Sequence, residues 1–100
     1  MAEPAGGLYN KIINAGYMFG APVTQSIAKS ASFVIPKGSY VIPADTASDW
    51  QLEINSTGST WLILWPKGTC GGIIISDGLK IRATNTDATN ATDLIYIPIM

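Results

Sequence analysis

The sequence predicts an all-β domain: a small antiparallel β-sandwich or barrel of about seven strands, carrying an extended N-terminal arm. Two observations predict it. From residue 32 onward, short runs rich in Ile, Val, Leu, Thr and Trp recur at regular spacing, separated by clusters of Pro, Gly, Asn, Asp and Ser. Those are turn residues, each for its own backbone reason. Nothing in this region repeats with the 3.6-residue period of an amphipathic helix. One hundred residues correspond to one domain.

The composition divides the chain near residue 31. Residues 1–31 are rich in Ala and Gly, with Tyr9, Tyr17, Met18 and Phe19 interspersed and Pro4 and Pro22 as breaks. Leu8, Ile12 and Ile13 suit one face of a short helix ending at Gly16, a run too short to hold alone. This segment reads as an arm whose aromatic residues need a docking surface, on the chain's own sheet or on a neighbour. Residues 32–100 then form the β domain.

Within it, runs at 32–35 and 39–42 flank Pro36-Lys37-Gly38, a turn punctuated at both ends. Residues 49–55 alternate Trp50, Leu52 and Ile54 with Gln51, Glu53 and Asn55, the pattern of a half-buried strand. The loop at 56–59 leads into 60–65, Thr-Trp-Leu-Ile-Leu-Trp, and the two strands should pair as a hairpin. Alternation of side chains would place Trp61, Ile63 and Trp65 on one face and Leu62 and Leu64 on the other. Both faces of that strand are apolar, so one domain this small would struggle to cover it.

Pro66-Lys67-Gly68 turns the chain again, and Gly71-Gly72 leads to 73–75. Asp77-Gly78 is a strong hairpin signal between that run and the next, where Leu79, Ile81 and Ala83 alternate with Lys80, Arg82 and Thr84. A polar loop at 85–93 precedes the last strand, 94–99, which is also apolar on both faces and ends at Pro98, an edge residue. The repeat of Pro-Lys-Gly at 36–38 and 66–68 lacks matching flanks and reads as reuse of one turn. Consecutive hairpins favour antiparallel pairing, with jelly-roll-like connections and a meander both open.

The residues for common chemistry are missing. There is no histidine, so neither imidazole catalysis near neutral pH nor imidazole ligation of metals is available. The single cysteine, Cys70, has no base to form a thiolate and no disulfide partner. The acids Asp45, Asp49, Glu53, Asp77, Asp87 and Asp93 form no catalytic carboxylate motif and suit turns and caps. Asn85, Asp87, Asn90 and Asp93 crowd oxygen ligands into one loop, but without the spacing of a calcium-binding loop. The sequence therefore predicts no enzyme, no cofactor and no metal site.

Charge excludes further classes. The net charge is −1 and the six basic residues are scattered, which argues against nucleic-acid binding and against a polybasic membrane contact. The N-terminal residues lack the basic and apolar regions of a signal peptide, and no apolar run approaches the length of a spanning helix. Only 13% of residues are charged, half of the usual share of about 25%. A surface that poor in charge suits a subunit buried against other chains, with Tyr9, Tyr17, Met18, Phe19, Trp61 and Trp65 as interface residues. The other use of such residues is a ligand platform of Trp50, Trp61 and Trp65 for sugars or a receptor.

In build, the chain resembles the small head-decoration or cement proteins of tailed bacteriophages. The arm at 8–23, the strand at 61–65 and the segment from Gly71-Gly72 to Thr84 carry the likeness. The resemblance implies a structural virion protein assembled in the host cytoplasm. Its expected partners are its own copies, a trimer being one such assembly, and a major capsid or other virion protein.

Overall fold

The computed structural model describes residues 18–43, 49–68 and 71–100. Tyr9, Tyr17, Asp45 and Cys70 lie outside these residues. Eight strands run in chain order: β1 (Val23–Ile27), β2 (Ser32–Val34), β3 (Gly38–Ile42), β4 (Trp50–Ile54), β5 (Leu62–Trp65), β6 (Gly72–Ser76), β7 (Ile81–Asn85) and β8 (Thr92–Pro98). They form two four-stranded antiparallel sheets. Sheet I has the order β1-β8-β3-β6 and sheet II the order β2-β7-β4-β5.

The pairing is nested. First pairs with last, β2 with β7, β3 with β6 and β4 with β5. With successive pairs dealt alternately to the two sheets, this is jelly-roll topology. Residues 23–27, which composition assigned to the arm, are the edge strand of sheet I. Their inward side is Val23, Gln25 and Ile27, matched in register with Tyr96, Leu94 and Thr92. The end of the arm continues the pairing: the Gly20 amide donates to the Pro98 carbonyl at 2.8 Å, and Phe19 bridges Ile99.

Among the described residues, only β4 and β5 form a hairpin between neighbours in sequence. The Asp77-Gly78 turn, expected to close a hairpin, instead carries the chain from sheet I to sheet II. The reason lies in local bonding. Asp77 Oδ1 accepts from the Leu79 and Lys80 amides, which satisfies the turn without any strand partner. Ser76 then ties it to the other crossing, its hydroxyl donating to the Ile35 carbonyl at 2.7 Å. The two crossings, 36–38 and 77–80, thus lie against each other at one end of the sandwich.

The core fills the gap between sheets with Ile27, Ile35, Tyr40, Ile42, Trp50, Leu52, Ile74, Ile81, Ala83, Leu94 and Tyr96. Tyr40 and Tyr96 meet edge to face at 5.1 Å, and Phe33 stacks on Tyr96 from the opposite sheet. Burying each large aliphatic residue here is worth about 1.5–3 kcal/mol. Asn85 and Ser76 are buried polar residues on the inward side; the Asn85 amide donates to the carbonyls of Ile27, Ala28 and Asn90, fixing the 85–93 loop to β1.

Candidate interface surfaces

The sandwich has two outer faces, and the register states what stands on each. On sheet I, Val41 lies between Ile97 of β8 and Ile73 of β6. Ile75 stands opposite Ser39, and Ile95 opposite Thr24. Five β-branched aliphatic side chains therefore share one outward surface across three strands. Ile75 is 77% exposed and Ile95 42%. Val41, Ile73 and Ile97 are half-buried, and the one acid facing the same way on these strands is Asp93.

On sheet II the outward positions of the middle strands hold Gln51, Glu53, Arg82 and Thr84, joined by Ser32 of β2. They form one hydrogen-bonded network. Glu53 Oε1 accepts from Arg82 Nε and from the Thr84 hydroxyl, each at 2.6 Å, and Oε2 accepts from the Gln51 amide at 2.6 Å. The Ser32 and Thr84 hydroxyls are 2.7 Å apart. Burial opposes the charge on Glu53, whose residue is only 7% exposed. The bonds from Thr84, Arg82 and Gln51, with the guanidinium charge, outweigh it and hold the carboxyl below its ordinary value. Both oxygens of this carboxylate accept hydrogen bonds, two on Oε1 and one on Oε2.

Strand β5 borders this face. Its register against β4 slips between Leu52 and Glu53: Trp65 pairs with Leu52, Ile63 with Glu53 and Leu62 with Ile54. Leu64 is the extra residue of a β-bulge. The bulge overturns the expectation that Trp61 and Trp65 share a face. Trp65 turns inward, packs on the core and lies 3.1 Å from where a Cβ on Gly72 would be. Trp61 stays outside, with the Arg82 guanidinium 4.0 Å over its ring. Trp50 is buried in the core, so the three indoles share no surface on which a sugar or a base could lie.

Of the remaining residues singled out by sequence, Met18 is exposed beside Met100, bonded to it through the backbone in both directions. Phe19 is half-buried against the end of β8. In the 85–93 loop, Asp87 Oδ1 accepts from the Thr89 amide, the Thr89 hydroxyl and the Asn90 amide. Those bonds, led by the Thr89 amide, hold its carboxyl down to about 2 and explain the loop without a cation. Among the described residues no group of His, Cys, Asp or Glu is placed to hold a metal, and no helix is long and apolar enough to cross a membrane.

The Glu53 network was missed by sequence reasoning. Its signal was present as an acid on one alternating strand and a base on another, but it became legible only once β4 was known to pair with β7. Comparison with family models, with curated proteins and with solved structures finds no match to this chain.

Proposed function

We propose that this protein is a non-enzymatic structural subunit of a viral particle. In this reading it decorates or cements the capsid, docking on its own copies and on a shell protein. One observation carries the proposal: among the described residues the outer face of sheet I is an aliphatic surface with Ile75 and Ile95 exposed, whereas that of sheet II carries a hydrogen-bonded polar network. A monomer in water has no use for that difference, and a subunit with one buried side does. The nested strand order adds support by analogy, since jelly rolls recur in viral capsid proteins. The fold also occurs in lectins, but the carbohydrate- or receptor-binding alternative has only Trp61 on an outer face, already stacked with Arg82.

Analytical ultracentrifugation of the full chain tests the assembly claim. A homo-oligomer at micromolar concentration that dissociates on Ile95→Lys is expected, and a chain monomeric at high micromolar concentration overturns it. Cryo-microscopy of particles containing the protein tests its location. Density for the sandwich should lie on the shell with sheet I facing a neighbour, and sheet I facing solvent overturns the docking surface.

A further inference from the structure

We infer that two copies of this chain exchange their first strand: residues 18–28 of one copy, with β1, pair with β8 of the other, which returns its own. The inference rests on the structural-subunit reading and adds how two subunits become linked. The occupant of the β8 edge is given by the structure itself. β1 lies there, antiparallel, from Val23 opposite Tyr96 to Ile27 opposite Thr92. An exchanged β1 makes the same pairs on a neighbour, so the closed and exchanged forms differ only in the connection between β1 and β2.

Three features mark β1 as the strand that can leave. It is an edge strand with β8 as its one neighbour in the sheet, whereas β8 is interior, between β1 and β3. In chain order it precedes every other described strand, so it moves without carrying any of them. It is also shallowly held. Ile27 is 2% exposed, but Val23 is 37% exposed and Thr24 and Ser26 face solvent. Such a strand opens at lower cost than those that fill the core.

The connection supplies the hinge. The turn from Ala28 to Ala31 is closed by the Ala31 amide, which donates to the Ala28 carbonyl at 3.0 Å. Within it Ser30 has a φ of 55°, in the left-handed region where a side chain crowds the backbone. Among the described residues it is the one non-glycine with a positive φ. Straightening the hinge gives up that closing bond and the bond from the Ser30 amide to the Asp87 carbonyl, and it releases Ser30 to extended geometry. A short connection under strain favours exchange where a neighbour is close. The Asn85 amide, which holds the Ile27 and Ala28 carbonyls, then makes those bonds between copies, and each subunit is completed by its partner.

The test traps the strand where it docks. Ser26 and Asp93 are register partners, so the full chain carrying Ser26→Cys, Asp93→Cys and Cys70→Ser is refolded at several concentrations, oxidised and run on a denaturing, non-reducing gel. A covalent dimer is expected whose share rises with refolding concentration and exceeds that of either single-cysteine variant. Adding Ser30→Gly removes the hinge strain and should lower that share by roughly threefold or more. Chains refolded in dilute solution close on themselves, so association through the outer face of sheet I is measured there without exchange. In the unsubstituted chain, refolding a mixture of isotope-labelled and unlabelled copies at high concentration should give isotope-filtered nuclear Overhauser contacts between β1 of one copy and β8 of another. Monomer bands alone at every concentration, a dimer share indifferent to Ser30→Gly, or an oligomer without those contacts overturns the exchange while the structural-subunit reading stands. An unsubstituted chain that stays monomeric at high micromolar concentration overturns both.

Discussion

The two outer faces of this sandwich are built from the same secondary structure and do opposite things with it. On sheet II, Glu53 is desolvated and then repaid by three side-chain donors, Arg82, Thr84 and Gln51. On sheet I, Val41, Ile73, Ile75, Ile95 and Ile97 occupy equivalent outward positions and make no polar bond at all. The first face contributes to the stability of the subunit alone. The second leaves Ile75 and Ile95 exposed while Val41, Ile73 and Ile97 are half-buried, and it gains further only when something covers it, as an interface does.

That contrast can be broken most directly at Arg82. Arg82→Ala leaves the Glu53 carboxylate mostly buried without its cation. It should cost about 2–4 kcal/mol and lower the melting temperature by roughly 10–20 °C. A loss under about 0.5 kcal/mol in urea unfolding would mean that the network is ornamental. Acid should act on the same group. The folded carboxyl of Glu53 titrates below its ordinary value, so its stabilisation is fully present above the unfolded pKa of about 4.3. It is lost as pH falls through the folded value. Urea midpoints between pH 7 and pH 2.5 should fall, and less steeply in Glu53→Gln. Asp87, held at about 2, contributes in the same direction, and Asp87→Asn separates the two.

Thr84→Val should come next, at about 1–2 kcal/mol, because it removes one donor to Glu53 and the partner of Ser32. Smallest of all should be Ile75→Lys on the other face. A residue so exposed should change monomer stability by no more than about 0.5 kcal/mol. Its effect belongs in sedimentation, as loss of association. A large drop in melting temperature of the monomer would show that sheet I is part of the fold's own cover and would dissolve the contrast.

How much of this was legible beforehand depends on what each signal measures. Alternation in Trp50, Leu52 and Ile54, and in Ile81 and Ala83, reports a strand and its buried side, and those residues are core. It does not report which strand lies alongside. Asp77-Gly78 therefore specified a turn correctly and a hairpin wrongly, since Oδ1 of Asp77 caps the turn whichever sheet the chain enters next. The polar middle of β1 hid its strand character, because an edge strand with one solvated side has only Val23 and Ile27 to betray it.

The bulge at Leu64 left no compositional trace. One extra residue in an apolar run looks like more of the same, yet it separates Trp61 from Trp65. Low charge and doubly apolar strands were visible from the outset. Their division between the outer face of sheet I and the exposed residues of β5 required the register.

The nested order of strand pairs also sets a schedule for folding. Only β4 and β5 can meet by closing a short loop, and each further pair encloses all the previous ones, until β1 and β8 join residues 23–27 to residues 92–96. Loop closure is progressively cheaper if the pairs form from the inside outward, although so many distant contacts place the reaction in the slow, millisecond-to-second range. The strand with the most exposed apolar edge is thus among the first to form, and the segment leading to the N-terminus is the last to be fastened. A newly made chain would therefore hold the β4–β5 hairpin, with Leu62, Ile63 and Leu64 exposed, before its outermost strands are fastened.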